Sequence, residues 1–216
     1  MQGIPLNERK RLGALLDDRP QAEVMAMIPQ FSQAETDNFV APPAQIPEAL
    51  GVLMFNMERG VNLPEIQEFL RDCPDIQPFD VILANELDDG CARSGNKNTA
   101  RELAQAFGLN YAWGLEFIEL VNDENAKGFH GNAVFSRWPI RRAGVIRLPE
   151  QYNWYFDRQK RIGGRLAVFA ELDVGGQPVG AVSIHLENRT HGEGRKAQMA
   201  AILEAVRKEL PDMPLI

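Results

Sequence analysis

The stretch DVILANELDDG, from Asp80 to Gly90, decides the fold. Its apolar residues 81–84 run without a polar break, and a cluster of amide and carboxylate side chains follows them directly. Such a run is typical of a strand that is buried on both faces and whose polar end reaches the rim of a sheet. Glu86 is the first charged residue after the run. Its carboxylate suits a hard cation such as Mg²⁺, while an ion pair with a nearby Arg or Lys is the alternative.

A second buried strand precedes this one. The apolar residues 52–55 end at Asn56, and Asn62 then caps a helix that leads towards Asp80. Strand, helix and strand in this order predict a right-handed crossover with parallel strands. We therefore expect Asn56 and Glu86 to lie at the same edge of one sheet.

Composition allows a large folded domain but gives a mixed signal about charge. The 216 residues are 44% hydrophobic, which is enough for a substantial core. The formal net charge of −7 does not indicate a protein that coats nucleic acid. Residues 137–165, however, hold eight basic and two acidic residues, a net charge of +6. Aromatic residues alternate with these basic residues from Tyr152 onward. The pattern fits either a segment that binds a nucleic-acid strand by stacking and charge or a hairpin with its aromatics packed inward.

The cysteines and the N-terminus indicate a reducing compartment. Cys73 and Cys91 have the spacing of neither a metal site nor a redox motif. The first ten residues lack the apolar core of a signal peptide, and no apolar run has the length that crossing a bilayer requires. We expect a cytoplasmic protein, and the sequence leaves its oligomeric state open.

The chain divides near residue 48. Residues 1–48 contain six of the 14 prolines and are predicted to form a helical, proline-rich extension. Ser32 and Glu35 have the spacing of a capping box, which predicts one of its short helices. Residues 49–216 form the predicted main domain, and its last residues, 214–216, have the pattern of a strand that is just beginning.

Four motifs occur in a fixed order: NMERG at 56–60, NELDDGCARSGN at 85–96, GFHGNAVFSRWP at 128–139 and SIHLENRT at 183–190. Together they resemble the endonuclease/exonuclease/phosphatase superfamily, whose members include pancreatic-type deoxyribonucleases, apurinic-site endonucleases, sphingomyelinases and inositol-polyphosphate phosphatases. The resemblance implies an α/β (α+β) fold, a four-layer sandwich of two stacked mixed β-sheets flanked by helices. It also implies Mg²⁺-dependent hydrolysis of phosphate esters, with Mn²⁺ as the alternative metal.

The resemblance also implies roles for individual residues. Asn56 and Glu86 match the metal-binding Asn and Glu. His185 matches the histidine that hydrogen-bonds the substrate phosphate, and Glu116 matches the carboxylate that orients it, with Glu119 as the alternative. A cation and a His donor at fixed positions both stabilise the charge that develops around phosphorus. Because His185 follows an apolar strand, a buried histidine without a functional role is the alternative.

Two further motifs of the superfamily are absent. The sequence has no Gly-Asp-x-Asn, and neither His130, His185 nor His191 follows an Asp. The chain reaches Ile216 where the Gly-Asp-x-Asn strand is expected. We therefore expect residues 49–216 to be the N-terminal part of a domain that is incomplete at its C-terminus, with an exposed sheet edge and little or no turnover.

The motifs do not choose among substrates. Nucleases, lipid phosphodiesterases and sugar-phosphate phosphatases share them, so nucleic acid, a phospholipid head group and a sugar phosphate are all candidate partners. A phosphodiesterase or nuclease is the leading hypothesis. The alternative is a non-catalytic module that keeps the scaffold and binds phosphate or a protein.

Overall fold

A computed structural model describes residues 1–216 and shows two β-sheets stacked face to face, with helices on both outer surfaces. The helices are α1 Leu6–Ala14, α2 Gln21–Ala26, α3 Leu63–Asp72, α4 Thr99–Phe107 and α5 Gly192–Glu209. The strands are β1 Ala34–Asp37, β2 Val52–Arg59, β3 Val81–Asp89, β4 Asn110–Glu119, β5 Phe129–Ser136, β6 Ile140–Arg147, β7 Arg161–Gly163, β8 Leu166–Val174 and β9 Gln177–Ile184.

The large sheet has six strands in the order β1-β4-β5-β3-β2, and β7 pairs with the far end of β4. Its β2 and β3 are parallel and joined through α3, which confirms the predicted parallel pairing, while its other neighbouring strands are antiparallel. Asn56 pairs with Asn85, the residue before Glu86. The small sheet is antiparallel, in the order β6-β8-β9.

Strand β3 is buried on both faces, as its unbroken apolar run predicts. Ile82 and Ala84 belong to the core between the large sheet and the helices, whereas Val81 and Leu83 belong to the core between the two sheets. Alternate residues of a strand point to opposite faces, so every position of this run is removed from water. Full burial of an Ile, Val or Leu side chain contributes about 1.5–3 kcal/mol.

The molecule has four layers, which confirms the predicted sandwich. Helices α1–α4 cover the outer face of the large sheet, and α5 packs on the small sheet through Ile202, Val206 and Leu210. The two sheets approach closely at Gly114. A Cβ at this glycine would lie 2.6 Å from Val145 Cγ1, so no larger residue fits there without displacing side chains of the second sheet.

Residues 1–48 pack on the domain and extend its sheet. Leu12 and Val24 lie in the core under the large sheet, and β1 pairs with β4. The helix predicted from Ser32 and Glu35 is wrong, because the chain becomes extended after a short 3₁₀ turn and Glu35 accepts hydrogen bonds from Asn98 and Tyr111 instead of capping a helix. A domain boundary at residue 48 stays a prediction.

The last residues of the chain run beside β9. Gly180 donates its N–H to the Pro214 carbonyl and accepts from the Ile216 N–H, both at 2.8 Å. Leu215 bridges Gly180 in the parallel sense, so the predicted start of a strand at residues 214–216 is confirmed. None of the helices combines the length and the apolar character that a membrane crossing requires.

Candidate functional site

Three strands of the large sheet are irregular at the same end. The pairing of β2 with β3 shifts between Asn85 and Leu87 on β3, and the pairing of β3 with β5 shifts between Ala84 and Leu87. The pairing of β4 with β5 shifts between Leu115 and Phe117. A bulge redirects the side chains beside it and is common next to functional sites. The irregular positions therefore include Glu86 and Glu116 themselves.

The backbone at this end of the sheet is strained. Glu86, Glu58 and Arg59 have φ values of 59°, 47° and 68°, in the left-handed region that residues with a side chain rarely adopt. Each such residue costs about 1–3 kcal/mol, and such conformations cluster at functional sites. The N–H of Glu86 is satisfied by Asn132 Oδ1 at 3.1 Å, so a neighbouring strand holds the strained backbone in place.

Glu86 and Asn56 lie side by side. Asn56 pairs with Asn85, the residue before Glu86, and its side chain helps to lower the pKa of the Glu86 carboxyl, while Asn56 Oδ1 accepts the N–H of Glu58 at 2.9 Å. Burial opposes ionisation of Glu86, yet His130 and Asn56 lead the neighbouring groups that outweigh it and lower the pKa of the carboxyl. The side chain of Glu86 keeps 24% of its surface exposed, so an ionised carboxylate faces the cleft.

His185 reaches the same place from the small sheet. Asn85 Nδ2 donates to the carbonyl at the end of β9 at 3.2 Å, and the Ser183 hydroxyl donates to the backbone of β3 at 3.0 Å. These bonds join the two sheets just before His185 and place its Nε2 3.9 Å from Glu86 Oε1. The structure therefore brings together the three residues that the sequence predicted as a site: Asn56, Glu86 and His185.

Glu116 lies behind His185 but does not contact it directly. Arg165 Nη1 is 3.2 Å from Glu116 Oε1 and 3.1 Å from His185 Nδ1, whereas His185 Nδ1 and Glu116 Oε2 are 3.9 Å apart. Burial lowers the pKa of His185 more than Glu116 raises it, and Arg165 lowers it further. The alternative carboxylate, Glu119, pairs at 3.0 Å with both Arg93 and Arg161.

A buried network of charged side chains, formed by Asp88, Arg93, His130 and Glu119, lies beside the site. Asp88 is fully buried, accepts two hydrogen bonds from Arg93 at 2.7 and 2.8 Å, and lies 2.9 Å from His130 Nδ1. Burial alone would raise the pKa of Asp88, but the hydrogen bonds from Arg93 and His130 lower it to about 2. The same Arg93 reaches Glu119, so one guanidinium neutralises two buried carboxylates.

A cleft of about 550 Å³ opens beside Glu86 and is rich in arginine. Its charged and histidine lining consists of Arg59, Arg158, Arg161, Arg165, Arg189, His130, Glu86 and Asp157. Five guanidinium groups against two carboxylates favour an anionic ligand, and guanidinium geometry matches the oxygens of a phosphate. Arg161 and Arg165 are buried in the wall and lie over the rings of Phe117 and Trp154 at 5.1–5.5 Å.

The aromatic and basic segment forms one wall of this cleft. Trp154 and Tyr155 are buried, so the inward-packing interpretation is confirmed for these two rings, while Phe156 is 68% exposed. The segment forms a 3₁₀ turn over Trp154–Phe156 and then strand β7, not the hairpin that this interpretation assumed. Arg161 and Arg165 of this segment are therefore largely buried in the wall of the cleft, whereas Arg158 is exposed at its rim.

Of the arginines that line the cleft, sequence reasoning singled out only Arg189, which lies in the SIHLENRT motif, as a candidate phosphate contact. The +6 charge of residues 137–165 signalled an anionic partner, but pattern alone did not separate the buried Arg161 and Arg165 from the exposed Arg158. Arg59 comes from the NMERG motif and gave no separate signal. Asn85, which joins the two sheets, was quoted only as part of a motif.

The residues present fit a magnesium ion, although they do not form a closed cage. No group of three or more His, Cys, Asp or Glu side chains converges as a metal site. Glu86 supplies a carboxylate that lines the cleft, and the neighbouring Asn56 supplies an exposed amide. Mg²⁺ commonly uses one or two carboxylates and completes its shell with water and substrate phosphate, so this pair is a compatible protein contribution.

Comparison with known proteins identifies the fold. No protein family model and no curated protein matches the sequence. An endonuclease/exonuclease/phosphatase from Beutenbergia cavernae is similar with a TM-score of 0.53 and 21% identity, over 71% of this chain and 43% of the bacterial one. The human Nocturnin catalytic domain with bound sulfate anion is similar with a TM-score of 0.52 and 19% identity, over 87% of this chain and 66% of that domain. The chain thus has the fold of the endonuclease/exonuclease/phosphatase proteins and spans less than two thirds of either neighbour's length.

Proposed function

We propose that this chain is the metal-binding and phosphate-binding part of a Mg²⁺-dependent phosphoester hydrolase, of the phosphodiesterase or nuclease type. The observation that carries the proposal is the meeting of Glu86, Asn56 and His185, of which Glu86 lines an arginine-rich cleft. Two of these residues come from adjacent parallel strands of one sheet and the third from the opposing sheet. The shared fold with endonuclease/exonuclease/phosphatase proteins supports the same reaction class.

Each group has a distinct part in this proposal. Glu86 and Asn56 would hold the ion, which when bound supplies positive charge to the oxygens of the reacting phosphate. The lowered pKa of Glu86 keeps its carboxylate ionised without a metal. His185 Nε2 lies 3.9 Å from Glu86 Oε1 and would hydrogen-bond a phosphate oxygen held there. The exposed Arg158 and Arg189 at the rim attract and orient the anion.

The substrate class is proposed only as a phosphate ester. Nucleic acid, a phospholipid head group and a sugar phosphate all carry the phosphate that the cleft is suited to bind. Little or no turnover by residues 1–216 and a cytoplasmic location stay predictions. The experiments below therefore measure the binding of metal and phosphate to this chain, and not turnover.

The metal site is tested with Mn²⁺, a paramagnetic substitute for Mg²⁺. In the ¹⁵N-labelled chain we expect substoichiometric Mn²⁺ to broaden the backbone amide signals of residues 56 and 86 first, and excess Mg²⁺ to restore them. Glu86→Gln keeps the shape of the side chain and removes its charge, so the broadening should require at least about tenfold more Mn²⁺, which corresponds to about 1.4 kcal/mol.

The matched control is Glu193→Gln, which removes an 89% exposed carboxylate from the start of α5. This variant should behave like the wild type. Equal broadening in the wild type and in Glu86→Gln would overturn the metal assignment.

The alternative, a non-catalytic phosphate-binding module, rests on the excess of arginine over carboxylate in the cleft. It predicts that inorganic phosphate perturbs the amide signals around Arg165 and Arg189 whether or not Mg²⁺ is present. The hydrolase proposal predicts that Mg²⁺ strengthens this perturbation and that Glu86→Gln abolishes the strengthening. A phosphate response that is independent of both Mg²⁺ and Glu86 would favour the module.

A further inference from the structure

We propose that Arg165 is a positioning residue that fixes His185 in the tautomer with its hydrogen on Nε2. His185 then presents a neutral hydrogen-bond donor to the cleft and not a base. The donor role rests on the proposed function, since it assumes that a phosphate occupies the cleft. The tautomer itself does not, because it follows from contacts within the protein.

The argument begins with the chemistry of the contact. Arg165 Nη1 lies 3.1 Å from His185 Nδ1, which is hydrogen-bond distance. A guanidinium has only N–H donors and no acceptor, so Nδ1 must accept through its lone pair. A ring whose Nδ1 accepts carries its hydrogen on Nε2. That nitrogen is the one that lies 3.9 Å from Glu86 Oε1, on the cleft side.

Arg165 is itself held from several sides. Its Nη1 binds Glu116 at 3.2 Å, and its Nε lies 3.4 Å from Glu187 Oε2. Glu187 in turn accepts the Trp154 indole N–H at 2.8 Å, and the guanidinium lies over the Trp154 ring. The residue is only 6% exposed. A guanidinium fixed in this way has little freedom to turn away from His185.

The competing arrangement gives the opposite hydrogen position. If Glu116 oriented His185 directly, Nδ1 would carry the hydrogen and Nε2 would present a lone pair to the cleft. The Nδ1 to Glu116 Oε2 distance of 3.9 Å is too long for that bond. Glu116 Oε2 is buried without a hydrogen-bond partner, while Oε1 of the same carboxylate is engaged by Arg165. Glu116 therefore acts on His185 through Arg165.

Nitrogen NMR of the histidine rings tests the inference without any enzymatic assay. Long-range ¹H–¹⁵N correlation spectra distinguish a ring nitrogen that carries hydrogen from one that does not. The His185 signals are assigned by their loss in His185→Gln. We expect wild-type His185 at neutral pH as a single neutral tautomer, with hydrogen on Nε2 and none on Nδ1. Hydrogen on Nδ1, on both nitrogens, or an even mixture of tautomers would overturn the inference.

Two variants distinguish the role of Arg165 in fixing the His185 tautomer from that of Glu116. Glu116→Gln should leave the Nε2-H tautomer in place, because Arg165 still reaches Nδ1. Arg165→Met should shift His185 towards the Nδ1-H tautomer, since Glu116 then becomes the nearest acceptor. A tautomer that changes in Glu116→Gln but not in Arg165→Met would assign the positioning role to Glu116 instead. If Arg165→Met does not fold, the wild-type and Glu116→Gln spectra decide between the two arrangements.

Inorganic phosphate distinguishes this inference from the proposed function. Phosphate bound in the cleft should shift the Nε2 resonance of His185 and leave Nδ1 nearly unchanged. The predicted tautomer without any phosphate response would uphold the positioning role of Arg165 and count against the phosphate site. A phosphate response with hydrogen on Nδ1 would support the phosphate site and overturn the positioning role of Arg165.

Discussion

Arg93 forms a bidentate ion pair with the buried Asp88: its Nε and Nη2 donate to the two carboxylate oxygens at 2.7 and 2.8 Å. Replacing Arg93 by Met should remove two hydrogen bonds from the buried Asp88 and leave Glu119 with Arg161 as its remaining cationic partner. Breaking one side of a buried ion pair costs about 3–5 kcal/mol, so we expect a loss of this size in the free energy of unfolding, measured with urea.

An exposed ion pair of the same residue types provides the control for Arg93. Arg11 and Glu8 on α1 form a hydrogen-bonded pair with side chains that are 58% and 39% exposed. Arg11→Met should leave the free energy of unfolding nearly unchanged, since solvent screens the pair. Similar losses in both variants would show that the buried network has no special role in stability.

The strained backbone of β2 predicts an unusual response to substitution at Glu58. This side chain is exposed, so its replacement removes no core contact, but its φ of 47° disfavours a β-branched residue. Glu58→Val should destabilise the fold by about 1–2 kcal/mol in urea denaturation. Glu58→Asn should be close to neutral, because Asn tolerates this conformation. Equal stability of the two variants would contradict the assigned strain.

The rim arginines should control anion affinity. Arg158→Gln and Arg189→Gln should each weaken binding of inorganic pyrophosphate by about two- to fivefold, as loss of one exposed charge contact predicts. Added salt should weaken wild-type binding as well. Isothermal titration calorimetry measures both effects. Arg141→Gln, which removes a charge that pairs with Asp173 on the small sheet, should bind pyrophosphate like the wild type.

The apolar groove beside β9 should promote self-association. Met54, Leu203 and Leu215 line it and are 75%, 46% and 53% exposed, next to a sheet edge that is only partly paired. The double variant Met54→Lys/Leu203→Lys should sediment as a smaller species than the wild type at the same high concentration. Met27→Lys, at a 45% exposed position away from the groove, should not. Wild-type chain that remains monomeric would contradict this prediction.

The two cysteines should differ in reactivity. Cys91 is buried, its Sγ lies 3.3 Å from the Phe129 carbonyl, and burial raises the pKa of its thiol. Cys73 is partly exposed at the end of α3. We expect one thiol to react rapidly with a disulfide reagent in the folded protein and the second only in denaturant. Cys73→Ser should remove the rapid phase, and a rapid phase that survives would contradict the burial of Cys91.

The sequence predicts the positions of Asn56 and Glu86 well because parallel topology dictates them. Two apolar runs joined by a helix place their polar ends at one edge whatever the details of packing, and Asn56 does pair with the residue before Glu86. The unbroken run 81–84 likewise indicates burial on both faces. These features depend on local pattern and on a strong topological rule.

What the sequence does not reveal depends on contacts between distant segments. The bulge at Glu86 depends on pairing with β5, and its N–H is satisfied by Asn132, 46 residues away. Arg165 lies between Glu116 and His185 only because segments 49 and 20 residues away converge on it. Tertiary contacts also override the local helix signal at Glu35, whose carboxylate binds Tyr111.

The irregular pairing of β3 and β4 makes the site sensitive to chain length. Successive residues of a strand point to opposite faces, so losing one residue where the register shifts would turn the side chains beyond it from one face to the other. Deleting a single amino acid near Glu86 or Glu116 would leave composition almost untouched and still aim that carboxylate at the helices. Among natural variants of this protein, alignment gaps at these two positions would therefore mark loss of the site even where the neighbouring side chains are unchanged.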